Sequence, residues 1–113
     1  MSQRHQPHPV RVPAGALELQ AYDYGSAAGP GAPDLVILHG IQDLALSFDP
    51  LAQALRQTHR VVSFDLRGHG DSDHSGSYTV PHLLADLHCV LAHFQIERLD
   101  NSAPLFGPEI LQR

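Results

Sequence analysis

Lysine and tryptophan are absent, and cysteine occurs once. The single thiol, Cys89, rules out an intrachain disulfide, and a chain without disulfides suits a reducing compartment, so a cytoplasmic setting is expected. All seven positive charges are arginines, dispersed along a chain of net charge -5. No basic stripe of the kind that neutralises phosphates is present, which argues against nucleic acid or an anionic membrane as partner. Long apolar runs are missing too: no stretch approaches the ~20 residues of a bilayer-spanning helix. Met1 to Pro9 carries charge with no apolar run behind it, unlike a secretory leader. Gly68-His69-Gly70 does not open directly into a helix, so it makes a poor phosphate cradle, and no cofactor is expected.

What is present suffices for one domain: 113 residues, of which 42% are hydrophobic. Residues 1–13 are polar and proline-rich and read as a loose tail or edge strand, with Val10-Arg11-Val12 alternating as at a sheet margin. Leu17 to Tyr24 alternates as a half-buried strand does, whereas Leu35-Val36-Ile37-Leu38 is a continuous apolar run suited to burial on both faces. A helix is expected from Phe48, capped by Ser47 or Asp49, with Pro50 in its first turn and Leu51, Ala52 and Leu55 on its apolar side. Val61 to Phe64 is the next strand. A second helix is expected over 80–94, capped by Thr79, with a stripe of Leu83, Leu84, Leu87, Val90, Leu91 and Phe94. Strand, helix, strand, helix is the pattern of an α/β fold with a mainly parallel sheet and flanking helices. Beyond residue 99 the pattern fails: Asn101 to Pro104 is turn chemistry where another buried strand is due, and residues 108–113 suit at most a final turn.

Two motifs carry chemistry. Leu38-His39-Gly40-Ile41 ends a buried strand in a His-Gly turn, and Asp65-Leu66-Arg67-Gly68-His69-Gly70-Asp71-Ser72 follows the next strand. In this order and strand context they resemble the two N-terminal landmarks of the α/β-hydrolase family, and Pro50-Leu51-Ala52 and Ala85-Asp86-Leu87 match the wording of its first two helices. The resemblance spans about Leu17 to Leu99 and implies an incomplete α/β-hydrolase-type domain, N-terminal half only: a tail over 1–13, the hydrolase portion over 14–99, and a divergent tail over 100–113. It also implies roles. Acyl transfer builds negative charge on a carbonyl oxygen, and preorganised backbone N–H groups are aimed at it. The resemblance makes Ile41 one such oxyanion donor, with His39 and Gly40 forming the turn that presents it and His39 itself a buried histidine bonded to backbone. It makes Asp65 and Arg67 architecture at the rim of the site. The intact relative would hydrolyse an ester, amide, epoxide or similar bond of a small molecule.

No nucleophile is identified. The family's elbow is G-x-S-x-G between a strand and a helix, and Gly70-Asp71-Ser72-Asp73-His74 has a histidine in place of the second glycine and no helix at Ser72. Ser102, near where the elbow should fall, has no glycine on either side. The acid and base lie further along in the family, so this stretch alone is expected to be inactive. Nine histidines invite a metal reading. His82, Asp86, Cys89 and His93 share one side of the second helix, yet they span ~16 Å at 1.5 Å per residue, too far for one ion, so a solvated helix face is expected. A strand run left without its neighbour is an aggregation template, so self-association through an exposed edge at Leu35 to Leu38 is expected. A small non-catalytic α/β binding protein is the alternative from a different functional class.

Overall fold

A computed structural model describes residues 4–39, 43–76, 78–96 and 109–112, the last four as backbone. Strands β1 (His8–Ala14) and β2 (Leu17–Gly25) form a hairpin. Strand β3 (Asp34–Leu38) leads through a short 3₁₀ turn (Ala45–Phe48) into helix α1 (Asp49–Leu55) and strand β4 (Arg60–Phe64). Helix α2 (Val80–His93) follows, and a short strand β5 (Glu109–Gln112) completes a five-stranded sheet of order β1-β2-β4-β3-β5.

The sheet is mixed where a mainly parallel one is expected from the alternation. Among the described strands only β3 and β4 run parallel, joined by the α1 crossover, while β1/β2, β2/β4 and β3/β5 are antiparallel. Nor is the edge of β3 open. Residues 109–112, read from sequence as at most a turn, pair with it from Leu38↔Glu109 to Leu35↔Gln112. The unpaired N–H and C=O groups of a buried apolar strand make such pairing favourable, and an antiparallel partner needs no long crossover.

Alternating side chains divide the core between the two faces of the sheet. Val12, Leu19, Ala21, Val36, Val62 and Phe64 lie on the α2 side with Val90 and Phe94. Tyr22, Tyr24, Leu35, Ile37 and Val61 lie on the α1 side with Ala52. This is the period of two that a pleated strand imposes, with both faces covered. Arg60 fastens the start of β4: it pairs with Asp34 at 3.5 Å and Asp23 at 3.7 Å, donates to the Phe94 carbonyl at 3.0 Å, and lies 5.6 Å from the centre of the Phe94 ring.

Both helices depart from their sequence patterns in informative ways. The start of α1 has no side-chain cap, because the 3₁₀ turn feeds into it and the Asp49 N–H already bonds the Leu46 carbonyl. The Asp49 carboxylate is used elsewhere, accepting from Arg4 at 2.7 and 3.0 Å and from the Tyr24 hydroxyl at 2.6 Å. Burial works against its charge, but these donors hold it below the usual carboxylate range. In α2 the Thr79 hydroxyl accepts from the His82 N–H at 3.3 Å, the expected cap. Leu84, placed on the apolar stripe, is 53% exposed, whereas Asp86, placed on a solvated face, is 1% exposed. The correction has a cause: Arg67 rises from the loop after β4 and takes both Asp86 oxygens at 2.7 Å, so the buried side of α2 is set by an ion pair as well as by leucines.

Removing one partner of a buried pair strands the other charge at a cost of ~3–5 kcal/mol, whereas replacing both with apolar groups is often near neutral. Asp86→Ala is therefore expected to lower the stability measured by urea unfolding by about 3 kcal/mol or more, and the Arg67→Met/Asp86→Leu pair to recover most of it. Equal losses in the single and double variants would show that the ion pair does not hold α2.

Candidate functional site

Open α/β sheets bind ligands beyond the C-terminal ends of their parallel strands. Here that end belongs to β3 and β4, and both sequence motifs lie there: His39 directly follows β3 and the residue 65–72 loop directly follows β4. His39 is buried, and its Nε2 accepts the Leu66 N–H at 2.8 Å, which requires a lone pair on that nitrogen and a neutral ring. Its ring centre lies 5.1 Å from that of His69, which meets Tyr78 edge-on at 6.4 Å. Tyr78 is 46% exposed, so the three rings lead from the end of β3 to solvent. Gly40, Ile41 and Gln42 lie outside the described residues. Asp43, next along the chain, accepts the Leu44 N–H at 2.9 Å, a bond that holds its carboxyl below the usual range.

Asp65 organises the loop. Its carboxylate accepts the Ala45 N–H at 2.8 Å and the Asp71 N–H at 3.1 Å, its carbonyl accepts the Ser72 hydroxyl at 2.6 Å, and its N–H donates to the Gln20 carbonyl at 2.9 Å. Gly70 makes this packing possible. It has φ of +50°, and a Cβ there would run into the Asp65 carboxylate. Arg11 on β1 closes the far side of the loop, donating to the Asp71 carbonyl at 2.5 Å and to the Asp73 carboxylate at 3.2 Å. Beneath it the Tyr22 phenol, 3.5 Å from Asp71, is pushed up to about 12 by burial and by the Asp65 and Asp71 carboxylates.

Ser72 is the serine nearest in wording to an elbow, and it is committed to structure. It is 3% exposed, and its Oγ accepts the Gln20 N–H at 2.8 Å while donating to Asp65. Ser102 lies outside the described residues. Of the residues considered for a metal, Asp86 is held by Arg67, and among the described residues no three His, Cys, Asp or Glu side chains gather as an ion would need. Sequence reasoning missed Tyr78, Arg11 and the Asp86 partner of Arg67. For Asp86 a signal existed: it is the one acidic residue of an apolar helix, and it follows a loop whose arginine required a carboxylate.

The alpha/beta hydrolase fold family matches residues 33–100, more than half of the chain. This chain belongs to the α/β-hydrolase family. Its similarity to a 3-hydroxybutyrate-oligomer hydrolase of Cupriavidus necator is 32% identity over 91 residues, covering 78% of this chain and 30% of that protein. Epoxide hydrolase 4 of Mus musculus is 34% identical over 85 residues, covering 73% of this chain and 23% of that one. The crystal structure of an α/β hydrolase from Novosphingobium aromaticivorans superposes with a TM-score of 0.75 at 28% identity, over 85% of this chain and 34% of the other. The chain thus spans about a third or less of the length of these family members, as expected of an N-terminal portion of the fold. Among the described residues no helix is long and apolar enough to cross a membrane.

The loop's bonds set its sensitivity to substitution. Ser72→Ala leaves the Gln20 N–H buried without its acceptor and is expected to cost ~1–3 kcal/mol. Gly70→Ala forces an alanine to positive φ against Asp65, for ~1–3 kcal/mol from the backbone alone. Thermal and urea unfolding of the two variants check both. A Gly70→Ala protein as stable as the parent would show that Asp65 does not pack there.

Proposed function

We propose that these residues are the oxyanion-side portion of a hydrolase active site and contain no nucleophile of their own. In this reading residues 14–99 are the hydrolase portion and 100–113 a divergent tail. His39 and Gly40 form the turn after β3, and the Ile41 N–H is one donor to the oxygen that gains charge as a small-molecule ester, amide or epoxide is attacked. The second donor, the nucleophile, the acid and the base belong to the remainder of the fold. The observation that carries the reading is the commitment of Ser72. A nucleophile needs a free oxygen beside a base, and this hydroxyl is buried between Asp65 and Gln20. Relatives named for oligomer and epoxide hydrolysis support the reaction class.

A second reading, a free-standing non-catalytic α/β protein, is favoured by one feature: β5 pairs with the strand whose edge would otherwise stay open. It requires a monomer that self-associates once residues 109–113 are deleted. Sedimentation of the full and shortened chains tests this, and a full chain that already self-associates would exclude it.

For the first reading, the purified chain should neither cleave a p-nitrophenyl ester nor react with a fluorophosphonate probe. Stoichiometric labelling abolished by Ser72→Ala or Ser102→Ala would overturn it.

A further inference from the structure

Among the described residues five large apolar side chains stand exposed: Leu44, Leu46, Tyr78, Val80 and Leu84. All five lie on the chain leaving the C-terminal ends of the parallel pair. Leu44 and Leu46 fall between β3 and α1, and the other three run from the end of the β4 loop to the second turn of α2. Single apolar residues scattered over a surface are ordinary, but a set gathered at the ligand-binding end of a sheet marks a recognition surface. The charged groups beneath it are turned inward: Asp65, Arg67 and Asp86 are buried and bonded to backbone or to one another. The carboxylates of Asp43 and Asp71 remain near the surface of this end, and they disfavour an anion there.

Tyr78 is the fixed point of this surface. Gly68 has φ of +75°, and a Cβ on it would overlap the Tyr78 ring and its hydroxyl, so the ring rests on bare Gly68 backbone. His69 meets the ring edge-on, with centres 6.4 Å apart. The loop therefore holds the ring in place and still leaves nearly half of the residue exposed. A ring fixed before a ligand arrives has little side-chain freedom left to lose, and its open surface suits an aliphatic chain or a second aromatic ring. Val80, two residues on, and Leu84, one helical turn further, carry exposed apolar surface from Tyr78 onto α2.

We propose that Tyr78 is a specificity-determining residue, its ring the wall against which the apolar part of a neutral substrate lies. The substrate class that fits is an ester or epoxide bearing an alkyl or aryl group of several carbons, in preference to short or anionic ones. The inference rests on the reading of this end as the substrate side of a hydrolase, and it adds which part of the substrate is recognised and by what.

The full chain is expected to leave esters intact, so an ester can itself be titrated as the ligand. Ethyl butanoate and ethyl hexanoate are added in turn, with the Tyr78 and His69 ring resonances as the readout and ester recovery measured alongside. Affinity should rise about tenfold over the two added methylenes, and the hexanoate anion should bind more weakly than its ethyl ester. Tyr78→Phe should keep that increment, because the ring and not the hydroxyl provides the surface, whereas Tyr78→Ala should abolish it. Leu84→Ser leaves the contact with Gly68 in place and should weaken ethyl hexanoate about threefold while sparing ethyl butanoate. Equal affinities for the two esters, an increment that survives Tyr78→Ala, or shifts centred on His88 and Ile96 at the far end of α2 would overturn the proposal. So would a dimer in sedimentation that Leu84→Ser dissociates, since the surface would then belong to a second copy. A flat increment beside intact ester removes the wall and leaves the oxyanion-side reading in place. Ester consumed during the titration counts against the missing nucleophile instead, and the increment read on the Tyr78 signals still decides the wall.

Discussion

Asp65 is the constraint on which the C-terminal end of the parallel pair depends. One residue receives N–H groups from the connection after β3 and from its own loop, a hydroxyl from Ser72, and a carbonyl partner from β2. A loop at this position would otherwise carry several buried polar groups with no strand to pair them, and each such group is costly to leave unsatisfied. The dense run of Gly, Asp, Ser and His after β4 serves that accounting. Gly70 provides the space, Ser72 reaches the β2 backbone, and Arg11 comes from the neighbouring strand to close the far side.

The loop also determines where α2 sits. Arg67 leaves the same turn on the opposite side and meets Asp86 inside the interface, so the helix is located by a directional contact as well as by leucines that could slide. Hydrophobic burial is tolerant of small shifts, whereas a bidentate guanidinium–carboxylate pair is not. Core, loop and strand end therefore form one connected structure. The end of the parallel pair is held by Asp65, and its face by the cluster that Val90 and Phe94 form with Val62 and Phe64 of β4.

Much of this was legible in the sequence because it is periodic or punctuated. The four-residue apolar run from Leu35, the alternation from Leu17, the cap at Thr79 and the glycine-bearing loop all announce themselves locally, and β2, β3, β4 and α2 lie where those signals put them. What was not legible depends on partners distant in the chain. Asp86 looks solvated on a helical wheel until Arg67, 19 residues away, is placed beside it. Asp49 looks like a cap until Arg4 and Tyr24 claim it. The pairing of residues 109–112 with β3 carries almost no local signal, since any short extended segment can satisfy an open edge and the chosen one is decided by proximity.

The contact between Arg4 and Asp49 bears on how the chain can be shortened. Ahead of the first strand, this segment crosses to α1, where Arg4 answers the charge that Asp49 holds against Tyr24 and Gln53 bonds both backbone groups of His5. Cutting back to the start of β1 would leave every strand and helix intact on paper. It would also strip the countercharge from a carboxylate pressed against a buried phenol, so the residues that look most dispensable are a brace for the one helix that joins the parallel strands.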